Sequence, residues 1–300
     1  MMRRGALLLF AALALAGPSG AGAQQPPAAG GRLPVEVEAD QSIELHEQQR
    51  AYVARGKAQA TRGTSRIAAD VLVAYYRDLP TGGTEVYRML AEGNVSVVTP
   101  TQQVFGERAV YDVDLQVAVM SGGNLKLITR TDVVTARDSL EYWERERLAV
   151  ARGDALSVRG ANRVSGDSLV ALLRDAAGGG TEVERIDAEG NVVIVTQTDV
   201  VYGREAVYDV NRNVATVLGD VRATRGGNQV NGEAAEVDFA TGISRMLRTA
   251  QGLPQASAAP QRVRGLFVPG QQPGQGAAPA PAQPPRPAPP APVAPARPRN

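Results

Sequence analysis

Between Val35 and Thr249 the apolar residues do not recur at the three-and-four spacing of a helix face. They alternate with polar ones, or gather in short β-branched runs such as Asn94-Val-Ser-Val-Val-Thr and Asn191-Val-Val-Ile-Val-Thr. Proline is almost absent from this stretch, with only Pro80 and Pro100, each beside turn-like residues. The pattern predicts a nearly all-β body of about 14–16 short strands. In VFGERAVYDV, Phe105, Ala109, Tyr111 and Val113 share one parity, while Gly106, Arg108 and Asp112 fall on the other. The sequence therefore predicts one apolar and one wet face, as for antiparallel sheets covered on one side. Glu107 and Arg204 break the apolar parity and are expected at a rim. LEYWERER, from Leu140 to Arg147, and its counterpart IELHEQQR leave helix and strand both open.

The pattern occurs twice. AEGNVSVVTPTQQVFGERAVYDV (Ala91 to Val113) returns as AEGNVVIVTQTDVVYGREAVYDV (Ala188 to Val210), 97 residues later. The same shift aligns DQSIELHEQQRAYVARG with RDSLEYWERERLAVARG, and no gap is needed from Asp40 until Gly122 meets Gly219. A third copy starts at Ala234 and stops after AAEVDFATGISRMLRT. Repeats at 40–136 and 137–233 with a partial third at 234–249 predict a stack growing along one axis. Inside each copy Gly precedes a polar residue and then an apolar one, at Gly56-Lys57, Gly93-Asn94, Gly123-Asn124, Gly153-Asp154, Gly190-Asn191 and Gly219-Asp220. Gly and Asn tolerate positive φ, so these are expected to be turns or bulges. Two packed antiparallel sheets of this kind make an elongated, slightly twisted β-jelly roll or sandwich.

The two ends differ from this body. MMRR, the apolar GALLLFAALALAG and the small-x-small site AGAQ read as a secretory signal peptide over 1–23, followed by a linker over 24–34, so an exported, soluble chain is expected. Residues 251–300 are rich in Pro, Ala, Gln and Gly and hold no acid, which predicts a disordered, partly polyproline II tail. One island in it, RVRGLFVPG, is either chance or a docking segment. All 31 acidic residues lie between Gln24 and Gly252, so the body at 35–250 is mildly acidic, unlike a nucleic-acid binder. Cysteine is absent, and no disulfide framework can form.

Candidate chemistry is sparse. The one histidine, His46, aligns with Trp143 and suits a half-buried sheet position better than a working base. The acid pairs Glu36/Glu38, Glu182/Glu184 and Asp112/Asp114 have the spacing of one strand face, but none recurs intact in both copies. No Gly-rich phosphate loop leads into a helix. The expectation is a chain that is not an enzyme and needs no cofactor or metal.

AEGNVSVVT, AEGNVVIVT, GERAVYDV, GREAVYDV and GDVRATRGGNQVNGEAAEVDFATG, in phase, resemble the LptA/OstA-like family of periplasmic lipopolysaccharide transport proteins. The resemblance implies a periplasmic bridge that carries lipopolysaccharide from inner to outer membrane, its lipid A acyl chains held in an apolar groove. The groove residues expected are Val95, Val97, Ala109, Tyr111, Val192, Ile194, Ala206 and Tyr208; an ordinary closed core would use the same positions. Implied partners are an inner-membrane LptC-like protein, an outer-membrane LptD-like receptor and further copies of the chain joined end to end. The truncated third copy suits that joining, because it leaves strand edges for β-augmentation. The edge residues expected are Val35, Val37, Val237, Phe239, Met246 and Leu247. The competing readings are a passive β-repeat envelope scaffold and, more remotely, a carbohydrate-active enzyme.

Overall fold

The computed structural model describes residues 35–80, 82–176, 181–247 and 264–266. The expected signal peptide and linker, and the tail apart from three residues, lie outside them. The described residues form eighteen strands and no helix. In chain order these are β1 (Glu36–Glu38), β2 (Ser42–His46), β3 (Ala51–Arg62), β4 (Ser65–Asp78), β5 (Thr84–Val98) and β6 (Gln102–Asp112). Then come β7 (Val117–Ser121), β8 (Lys126–Thr129), β9 (Val133–Thr135), β10 (Ser139–Trp143), β11 (Leu148–Arg159) and β12 (Asn162–Asp175). The last are β13 (Thr181–Val195), β14 (Val200–Asp209), β15 (Val214–Arg225), β16 (Asn228–Asp238), β17 (Ile243–Leu247) and β18 (Arg264–Leu266). The surplus over the expected number comes from short strands such as β1, β9 and β18, of three residues each. LEYWERER becomes the end of β10 and a turn, and IELHEQQR becomes β2 and a turn, so both are strands.

All pairings are antiparallel, and the hydrogen-bonded network is continuous. What turns one network into two layers is a bulge inside each long strand. In β13 the register with β14 jumps between Glu189 and Val192, at Gly190-Asn191. β3, β5, β11 and β15 break likewise at Gly56-Lys57, Gly93-Asn94, Gly153-Asp154 and Gly219-Asp220. Both residues of each pair have positive φ, for example 71° at Gly190 and 48° at Asn191. A side chain at Gly190 would also meet Asp167, whose carboxylate accepts from Asn191 Nδ2 at 3.0 Å. The repeated Gly-Asn beat thus supplies the bends.

Each long strand gives one half to layer I, which runs from β2 to β17, and the other half to layer II, which runs from β1 to β18. The short strands complete the pattern, with β7 and β10 in layer I and β8 and β9 in layer II. The layers are joined along the bulged edge, and their hairpins lie at the opposite, open edge. One core fills the space between them, with Ala109, Met120, Ala188, Ala206 and Val217 from layer I against Val95, Val104, Ile194, Val201 and Val221 from layer II.

The bulges correct the single-parity reading of β6 and β14. A residue added at the bend reverses the face, so the inward positions are Val104 and Val201 before it and Ala109, Tyr111 and Ala206 after it. Tyr202, the counterpart of Phe105 in the second copy and so of the same expected apolar parity, is 37% exposed beneath Arg222, and Phe105 is only half-buried. Glu107 and Arg204 sit at the bends, beside Gly122 and Gly219 respectively, and not at the open rim.

Candidate functional site: the cleft between the layers

At the open edge of the second repeat lies a cavity of about 70 Å³. Its depth is aliphatic, with Leu169, Ile186, Ala188 and Ala206 from layer I facing Val164 and Ile194 from layer II. Its mouth is mostly polar, with Asp132, Arg159 and Asn162 on the layer II rim and Tyr208 and Asn213 beside the Phe239 ring on the layer I rim. Apolar depth beneath a few convergent polar groups is the usual build of a binding cleft.

The mouth is laced. Arg159 donates to Asp132 at 2.6 and 2.9 Å within layer II, and Tyr208 stands opposite it in the lining of the cleft. Tyr208 in turn donates to Asn213 Oδ1 at 2.6 Å and stands edge-on to Phe239, with ring centroids 5.2 Å apart. The next hairpin repeats the arrangement. Asp199 binds Arg225 in layer II and accepts from Ser244 of β17, in layer I, at 2.6 Å. Arg225 Nη2 donates to the Gly242 carbonyl at 2.9 Å. Asp199 is only 4% exposed; burial pushes its carboxyl up, but the Arg225 and Ser244 bonds outweigh this and hold it below its ordinary value.

All eight expected groove residues lie between the layers. Val95, Val97, Ala109, Tyr111, Val192, Ile194 and Ala206 belong to the buried cluster, with Tyr208 packed against it. Ile194, Ala206 and Tyr208 line the cavity, and the other five do not. Burial pushes the Tyr111 phenol up to about 12, with the Glu144 carboxylate, 3.4 Å away, adding to the effect. Tyr111 is therefore neutral throughout the ordinary pH range.

The expected edge residues divide. Val37 lies on terminal strand β1 and is 39% exposed, and Val35 packs against the core. Met246 and Leu247 lie on terminal strand β17. Val237 is not at an edge, because β16 is paired on both sides and Val237 is 1% exposed. Phe239 belongs to the cleft mouth. Arg264–Leu266, from the RVRGLFVPG island, pairs with Asn231, Val230 and Gln229 and covers the layer II half of β16.

The polar rim is missing from the sequence reading, although its signal is present. The turns Thr129-Arg130-Thr131-Asp132 and Thr196-Gln197-Thr198-Asp199 share T-x-T-D, and each Asp is followed, 27 and 26 residues later, by an Arg before Gly. Of the acid pairs, Asp114 receives Arg77 at 2.7 and 2.9 Å, and Glu182 pairs with Arg174 at 2.6 Å. His46 meets Glu44 at 2.7 Å. Among the described residues no group of three or more His, Asp or Glu is placed to hold a metal ion.

The profile of a family described as LptA/(LptD N-terminal domain) LPS transport protein matches the chain at residues 36–138 and again at 134–243. The chain belongs to this family. Each match takes in one copy of the repeat. Among solved structures the chain is similar to LptH from Pseudomonas aeruginosa, the LptA homologous periplasmic component of a lipopolysaccharide transport device. The identity is 24% over 46% of this chain and 95% of that one, with a TM-score of 0.39. No curated protein sequence matches the chain.

Proposed function

We propose that this member of the lipopolysaccharide transport family works in the periplasm, shielding acyl chains between its two layers while lipopolysaccharide passes from inner to outer membrane. The observation that carries the reading is the cleft, aliphatic inside, polar at the mouth and lined from both layers. Each CH₂ kept from water is worth roughly 0.8 kcal/mol, so a twelve-carbon chain exposed in the periplasm costs on the order of 10 kcal/mol. Such a molecule needs cover.

The cleft as it stands cannot hold such a chain. Its volume of about 70 Å³ is less than half of the roughly 150 Å³ that accommodates a single benzene ring. Loading therefore requires the layers to part at the hairpin edge, which separates Arg159 from Tyr208, breaks the Asp199–Ser244 bond and flexes the Gly-Asn bends. The open state continues the aliphatic surface inward to Val192 and Val95.

End-to-end joining would use the terminal strands: β2 and β1 at one end, β17 at the other, each with one backbone edge free among the described pairings. The neighbours would be further copies, an inner-membrane LptC-like protein and an outer-membrane LptD-like receptor. Depletion of the protein in cells tests the reading. Lipopolysaccharide should accumulate at the inner membrane; unchanged delivery to the outer membrane would favour a passive envelope scaffold.

A further inference from the structure

Four of the chain's eight tyrosines, Tyr52, Tyr75, Tyr76 and Tyr87, gather at one lip of layer I, in the first repeat. Tyr52 and Tyr76 have ring centroids 5.0 Å apart, and Tyr75 and Tyr87 are 6.4 Å apart. Tyr76 and Tyr87 border an open cleft of about 370 Å³ whose other walls are Gln48, Gln49, Arg50 and Arg77, and Tyr52 backs Tyr76. Arg77 is held over Tyr87, its guanidinium carbon 5.7 Å from the ring centroid, by bonds to Glu85 at 2.6 Å and to both oxygens of Asp114. The Tyr76 backbone N–H donates to the Arg50 carbonyl at 2.8 Å, which ties this part of β4 to the β2–β3 hairpin.

The fold does not require these rings. At the matching positions of the second repeat stand Ala149, Leu172, Leu173 and Glu184, on the same strands with the same register. Leu173, the counterpart of Tyr76, is 6% exposed and part of the core, whereas Tyr76 is only half-buried. Three aliphatic side chains and one carboxylate thus satisfy the packing at this corner, and the first copy carries tyrosine at all four positions. Half-open tyrosines beside a held guanidinium and two exposed side-chain amides suit one ligand chemistry well. A pyranose ring offers an apolar C–H face to stack on a phenol ring and a rim of hydroxyls for planar donors and acceptors.

We propose that the Tyr52–Tyr76–Tyr87 lip, with Gln48, Gln49 and Arg77, is a saccharide-binding site. Its place at the open edge suggests the source, an argument that rests on the transport reading. A lipopolysaccharide whose acyl chains enter between the layers leaves its polysaccharide outside, along the hairpin rim. The glycan strands of the cell wall carry the same chemistry, and the test separates the two.

Titration calorimetry on the full chain would use two acyl-free probes: deacylated lipopolysaccharide, and a wall-glycan oligomer of N-acetylhexosamines. The variant Tyr52→Ala/Tyr76→Leu installs residues that the second copy already carries, and its thermal midpoint checks folding. Deacylated lipopolysaccharide should bind the native chain, and the variant should bind it about tenfold more weakly, the factor that 1.4 kcal/mol of lost contact produces. Loss of wall-glycan binding alone in the variant would uphold the site and assign it to the wall. Binding of neither probe, or equal binding by the folded variant, would overturn it. Acyl-chain photo-cross-linking inside the cleft is a separate readout. If it fails while saccharide binding persists, the transport reading falls and the site stands; if it succeeds while saccharide binding is absent, the site alone falls.

Discussion

Ser244 donates its hydroxyl to Asp199 across 2.6 Å, and so ties the terminal strand of one layer to a hairpin of the other. Removing the donor with S244A should free β17 locally without unfolding the body. Amide exchange over Ile243–Leu247 should quicken, and global stability should fall by about 1 kcal/mol, the usual net worth of one such bond. Exchange unchanged in β17 would show that its pairing with β16 alone holds it.

The same carboxylate sets a pH dependence. The Asp199 pKa is lowered in the folded chain, so its contribution to stability is fully present above the unfolded carboxyl value of 3.8. It is lost as pH falls through the lower folded value. Urea midpoints of the native chain and D199N should therefore differ at neutral pH and converge in acid below that range. A constant difference down to pH 2 would contradict the assignment.

Gly190 stands at φ 71° with the Asp167 carboxylate where a β-carbon would go. G190A should cost about 1–3 kcal/mol through strain at positive φ and displacement of Asp167. G226A, in an open hairpin at φ 56° with nothing near the added carbon, should cost less, because only the backbone term remains. Equal losses would remove the special role of the bend.

These bends also explain what was legible in the sequence. Strand type, the two copies, the Gly-Asn bulges and the inward side of Val95, Val97, Val192 and Ile194 could be read, because β-branched alternation is local. Parity across a bend could not, since one bulge residue exchanges the faces. Phe105 and Tyr202 were misplaced for that reason, and Val104 and Val201 overlooked. The cleft mouth was hidden for a different reason. Asp132 meets Arg159 only once β9 pairs with β11, and Arg159 comes opposite Tyr208 only after the layers fold onto each other, approaches that strand alternation does not encode. Val237 looked like an edge residue because the third copy breaks off near it, yet β17 covers it.

Arg264–Leu266 occupies the layer II edge of β16, where a neighbour would add. Deleting residues 264–266 should strengthen end-to-end association, seen in sedimentation velocity as larger species at lower concentration. Trimming Glu236 to Thr249 should abolish it. Weaker association after the first deletion would mean that β18 itself joins the copies.

The central claim is that acyl chains travel between the layers. A photo-cross-linking residue at Ile186, which lines the cleft, and another at Val207, adjacent to Ala206 on the opposite face, test it most directly. With labelled lipopolysaccharide, the account predicts adducts at position 186 and few at 207. Equal labelling at both positions, or none at 186 in a chain that stays folded, would contradict it.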